Sequence, residues 1–185
     1  MRLMKWAVAA MAASSLLGCE NSQPTLYRVA IDPVAQHVPL TCYRANQAPT
    51  TPPDTTTNIV DQQQWVFWEG VDDTAYLEPG VINYTLGQAQ RVIITADAIQ
   101  GTKVDGKYTF TSERTQTDSA TEVYTTSATY TIDKLGDTLE GTLALHSHCS
   151  GADCANIPTC DVALKFVGRK IDTDQISLYG TGGGN

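Results

Sequence analysis

Positive charge is scarce in this chain: its 185 residues hold 12 Lys and Arg against 20 Asp and Glu. A surface with that balance repels phosphate backbones and anionic head groups, which argues against nucleic acid as a partner and against electrostatic attachment to membranes. Catalytic signatures are missing as well. There is no Gly-x-Ser-x-Gly, and Ser147 lies between His146 and His148, so on a strand it faces away from both. The one glycine run, Gly180-Thr-Gly-Gly-Gly, has no helix behind it to present amides to a phosphate. His37, the third and last histidine, has no recognisable partner nearby in sequence. The sequence reads as that of a protein that is not an enzyme and carries no cofactor.

Long apolar runs are also absent, with one exception. Trp6 to Ala13 follows Arg2 and Lys5, is broken by Ser14 and Ser15, and ends in Leu16-Leu17-Gly18-Cys19. Spanning a bilayer takes about 20 apolar residues, so this stretch is too short for a transmembrane helix. A basic start, an apolar middle and a small-residue cleavage point are the parts of an export signal. Leu-Leu-Gly-Cys resembles the lipobox of bacterial lipoprotein precursors. The resemblance covers residues 1–19 and implies a signal helix over 1–18 that is cut away, leaving 167 of the 185 residues. It implies that Cys19 becomes the N-terminus and carries acyl chains of the palmitate kind, and that residues 19–25 form a tether. One chain anchors only marginally at about 0.8 kcal/mol per methylene, so several act together. By the same resemblance, Glu20 after the cysteine permits sorting to the outer membrane, facing the periplasm or the cell surface.

Four further cysteines, Cys42, Cys149, Cys154 and Cys160, read as two disulfides in an oxidising compartment. Three pairings exist, and spacing does not choose among them. The reading leans to Cys149–Cys160, closing the loop between the last two strands, which leaves Cys42–Cys154 to hold the N-terminal arm.

Beyond residue 25 no useful helical period is found. Leu26–Ile31 has strand composition, and Val38–Tyr43 reads as an edge strand despite Pro39. Residues 44–58, rich in Pro and Thr, read as an extended surface loop. Period-two alternation then recurs in Ile82/Tyr84/Leu86, Val92/Ile94, Tyr108/Phe110, Tyr124 to Ile132, Leu139 to Leu145 and Val162 to Gly168. Pro79-Gly80, Asp105-Gly106, Thr115–Ser119 and Lys134–Asp137 read as turns, and Ile176–Tyr179 as a short last strand. The expected fold is one all-β domain over 26–179, an antiparallel meander forming an up-and-down barrel or a sandwich, with a disordered tail at 180–185. Its layout, with an early Trp-bearing strand and short hairpins, is similar to lipocalin-type barrels.

Two side-chain groups stand out against that frame. His146 and His148 share a strand face beside Cys149, and imidazole with thiolate is a zinc donor set. The spacing fits no standard zinc pattern, so they read as an exposed pair with no metal. Trp65, Phe67, Tyr84, Tyr108, Phe110 and Tyr130 are candidates to line a cavity for a small apolar ligand. Trp65 and Phe67 share a face, however, and can simply fill the core, with Trp68 opposite. Asp72 and Asp73 with Glu69 and Glu78 read as a solvated acidic loop. The expected role is a lipid-anchored, non-catalytic interaction or structural protein of the cell envelope; the alternative is a lipocalin-like binder. Partners are the membrane through Cys19 and an envelope protein or small apolar ligand.

Overall fold

A computed structural model describes residues 23–45, 47–49, 61–87, 90–94 and 97–172. The signal segment and Cys19, the loop positions 46 and 50–60, the expected strand at Ile176–Tyr179 and the 180–185 tail lie outside the described residues.

Among the described residues ten strands run in order: β1 (Thr25–Ile31), β2 (Asp61–Glu69), β3 (Thr74–Glu78), β4 (Ile82–Leu86), β5 (Gln90–Ile94), β6 (Ile99–Val104), β7 (Lys107–Ser119), β8 (Glu122–Lys134), β9 (Thr138–Ser150) and β10 (Cys160–Lys170). Eight close a barrel in the order β1-β10-β9-β8-β7-β6-β3-β2. Every neighbouring pair is antiparallel, and β1 seals the barrel by bonding both β2 and β10. The expected all-β meander is therefore a closed up-and-down barrel of the lipocalin-like kind. Closure pairs every strand with two neighbours over at least part of its length, which shortens the edges an open sheet would expose. β4 and β5 stand apart as a two-stranded hairpin inserted between β3 and β6.

The alternation read from the sequence decides which side chains go inside. Along β9 Leu139, Leu143, Leu145, Ser147 and Cys149 are buried, while Glu140, Thr142, Ala144 and His148 face out. In β10 Cys160, Val162, Leu164 and Phe166 are buried and the intervening residues are exposed. Gly141 sits where this inner face is most crowded. A Cβ there would fall 2.0 Å from the Thr131 carbonyl oxygen and 2.6 Å from the Phe166 ring. Gly141→Ala is expected to lose about 1–3 kcal/mol, as overpacked cores do, because a backbone carbonyl must move. Urea unfolding would measure it.

The two ends of the barrel differ. At one, β2–β3, β6–β7 and β8–β9 are joined by tight connections over 70–73, 105–106 and 135–137. Asp105-Gly106 is a two-residue hairpin loop with φ of 51° and 79°, the pairing of a type I′ turn. The other end carries the long pieces: the 32–60 connection, the β4–β5 excursion and the 151–159 loop. Both disulfides are there.

Three local expectations are corrected. Val38–Tyr43 is not an edge strand; Leu40–Cys42 forms a 3-10 turn after another at Val34–Gln36, each entered through a proline, Pro39 and Pro33. Proline has no N–H to give a ladder, and its fixed φ suits the entry to a helical turn. Thr115–Ser119 is not a turn but the last part of β7, which pairs with β8 as far as Ser119–Glu122 after a register shift at 117–119. Threonines favour the pleated strand, and the chain reverses only at Ala120-Thr121. The disulfides join Cys42 to Cys160 and Cys149 to Cys154. Cys160 opens β10 opposite Ser147, so it faces the β1–β2 connection, with Cα atoms 4.7 Å apart across the bond to Cys42. A short 3-10 turn over Ala152–Cys154 folds Cys154 back over Cys149, at 5.4 Å.

Candidate functional site

Five of the six candidate lining residues lie in the barrel wall, on β2, β7 and β8. Trp65, Phe110 and Tyr130 are fully buried, and Phe67 and Tyr108 nearly so. They meet one another. Trp65 packs edge-on against Tyr130 at 5.3 Å and Phe166 at 4.8 Å, while Phe67 packs edge-on against Tyr108 at 5.0 Å and Phe110 at 6.2 Å. Such edge-to-face pairs are the favoured arrangement of aromatic quadrupoles. These five candidates thus belong to one core, in two edge-to-face groups. Trp68 faces outward, as the alternation requires, and lies parallel to Tyr76 at 5.3 Å.

Tyr84 is different. It belongs to the β4–β5 hairpin and not to the barrel wall, and it is half-buried. Its hydroxyl donates to an Asp61 carboxylate oxygen at 2.6 Å. The same oxygen accepts from Gln63 Nε2 at 2.8 Å, and Gln63 Oε1 accepts from Trp65 Nε1 at 2.9 Å. Gln63 also donates to the Val81 carbonyl at 3.3 Å. Asp61, Gln63, Trp65 and Phe67 occupy alternate positions of β2, so the strand's inner face turns from apolar to polar as it nears the long-loop end. There the hairpin is pinned over the barrel, with Ile82, Leu86 and Val92 fully buried beneath it. Burial, and then the Asp61 carboxylate, hold the Tyr84 hydroxyl far above the ordinary tyrosine pKa, so it stays a donor. No sequence signal marked Asp61 or Gln63, since their role depends on where the hairpin docks.

Among the described residues two hydroxyls inside the barrel have no partner: Tyr130 OH and Ser147 Oγ. Burial raises the Tyr130 pKa well above its usual value. A buried hydroxyl without a hydrogen bond costs about 1–3 kcal/mol.

At the short-turn end Glu69 accepts from the Tyr108 hydroxyl and from Lys103 Nζ at 3.0 Å, and the Lys103 ammonium sits 4.9 Å from the centre of the Tyr108 ring. The Tyr108 hydrogen bond, then that of Lys103, hold the Glu69 carboxyl below its ordinary range. A depressed carboxyl adds stability above its unfolded pKa and loses it as pH falls through the folded value. In Tyr108→Phe the Glu69 titration is therefore expected to move upward, read from its carboxyl carbon shift by NMR; an unmoved curve would mean that the bond is not formed in solution.

Outside the barrel, β7 pairs with β6 only through Phe110. From Thr111 to Ser119 no strand among the described residues is hydrogen-bonded to its second edge. A cleft of about 640 Å³ borders that edge, lined by Ile93, Ile99, Thr111 and Arg114 among others. His146 and His148 point outward on β9 as expected; their Nδ1 atoms lie 2.7 Å from Asp161 Oδ1 and 3.1 Å from Thr159 Oγ1. All four cysteines read as disulfide-forming are oxidised, so none is a thiolate ligand. Among the described residues no group of three or more His, Cys, Asp or Glu is arranged to hold a metal ion.

No known protein family, curated protein or solved structure matches the chain.

Proposed function

We propose that this chain is a lipid-anchored protein of the bacterial cell envelope that works as a non-catalytic interaction module. The observation that carries this reading is the filled interior: Trp65, Phe67, Tyr108, Phe110, Tyr130 and Phe166 pack ring against ring where a binder would keep a cavity. Recognition then falls to the outside, where the unpaired edge of β7 and its cleft offer main-chain donors and acceptors to a partner. Attachment through Cys19 fits the barrel's polarity. β1 starts at Thr25 on the short-turn end, six residues after the cysteine, so the acyl chains would hold that end to the membrane and turn the long-loop end away. Outer-membrane sorting through Glu20 belongs to the same proposal.

The anchor is tested by Cys19→Ser. The variant should leave the membrane fraction and lose its lipid mass; a variant that stays with the membrane and keeps the mass would refute the lipoprotein reading.

A second reading, a lipocalin-like binder, is favoured by the two unpartnered hydroxyls of Tyr130 and Ser147, which a small ligand entering under the β4–β5 hairpin could satisfy.

A further inference from the structure

The outward face of β9 holds an arrangement that the sequence left as a bare histidine pair. His146 and His148 are two apart on one strand, so their Cα atoms are about 6.8 Å apart and both rings stand on the same side. The register adds what spacing does not show. Asp161 on β10 lies directly opposite His146, and Thr159, just before β10, reaches His148. A carboxylate only accepts, so the 2.7 Å contact puts a hydrogen of His146 on Nδ1, and in the neutral ring Nε2 then keeps its lone pair. The Thr159 hydroxyl at 3.1 Å can hold the His148 ring the same way. Among the described residues neither Nε2 has a hydrogen-bond partner.

A carboxylate on Nδ1 with Nε2 free is the support that metal-ligating histidines carry: it sets the tautomer, orients the ring and raises its basicity. Aliphatic and hydroxyl neighbours complete the face, with Ser127 and Thr125 of β8 on the other flank and Ala144 below on β9. No ammonium or guanidinium stands in these contacts to repel a cation. Two imidazoles with open positions suit Cu(II), which tops the affinity order for nitrogen ligands and accepts a square-planar set completed by water. We propose that His146 and His148 bind one Cu(II) ion through their Nε2 atoms, with Asp161 as the positioning residue for His146. The site lies on the barrel's outer wall towards the long-loop end, remote from the aromatic core and independent of whether that core is filled.

The test uses the full exported protein, purified from membranes in detergent, stripped with chelator and titrated with Cu(II) alone. The expected result is one ion per chain, with an axial electron paramagnetic resonance spectrum split by two nitrogens. His146→Ala and His148→Ala should each abolish the two-nitrogen signal. Asp161→Ala should weaken binding by roughly tenfold to a hundredfold, the usual loss when such support is removed. All three positions are on the surface, and an unchanged unfolding temperature confirms that the fold is intact. Equal affinity in the His146→Ala/His148→Ala double variant would place the copper elsewhere and overturn the proposal. Loss with the histidines but no effect of Asp161→Ala would also overturn it, leaving an adventitious ion only.

Discussion

Replacing Cys42 and Cys160 together by alanine is expected to cost about 5 kcal/mol, the largest loss from any change considered for this fold. The two cysteines are 118 residues apart, so their bond closes most of the folded chain into one loop. Removing so long a constraint frees the unfolded chain far more than the folded one, and the gain in unfolded entropy appears as lost stability. Both residues are fully buried, so packing is lost as well. The second disulfide gives the control. Cys149 and Cys154 are five residues apart, and the same chain-entropy relation assigns their bond only about 2 kcal/mol. Guanidinium unfolding of the two double variants should therefore differ by more than twofold in lost stability. Equal losses would mean that native-state geometry, and not loop length, governs both bonds.

Trp65→Ala is the second large effect, at about 3–5 kcal/mol. The indole is fully buried, touches the Tyr130 and Phe166 rings, and donates to Gln63. Its removal leaves a cavity at the meeting point of β2, β8 and β10, and strands the Gln63 acceptor near the base of the hairpin. For a domain of this size each kcal/mol moves the melting temperature by about 2–4 °C, so a fall of about 6–20 °C is expected by calorimetry. Trp68→Ala, three residues on and facing outward against Tyr76, should cost much less. A similar loss for the two would contradict the inside–outside assignment of β2.

That assignment was legible in the sequence. Trp65-Val66-Phe67-Trp68 separates inner from outer rings by period two, and the same alternation marks β8, β9 and β10. Asp105-Gly106 named its own turn because both residues accept a positive φ. The β4–β5 hairpin was not legible as a separate element. Ile82, Tyr84 and Leu86 alternate just as barrel strands do, so Tyr84 was grouped with the wall, whereas it reaches Asp61 from the covering hairpin. The disulfide pairing and the partners of the histidines depend on register, Cys160 opposite Ser147 and Asp161 opposite His146, and register is a long-range property that spacing along one strand does not contain. Barrel and sandwich were likewise inseparable, since the closing β1–β10 ladder joins the two ends of the domain.

The filled interior is tested most directly by native mass spectrometry of residues 20–185, exported without the anchor, purified gently and freed of metal by chelator. The account predicts the mass of the bare chain less the four hydrogens of two disulfides. A stoichiometric organic mass that stays through purification and leaves on denaturation would contradict it, and would make the space around Tyr130 and Ser147 a ligand site.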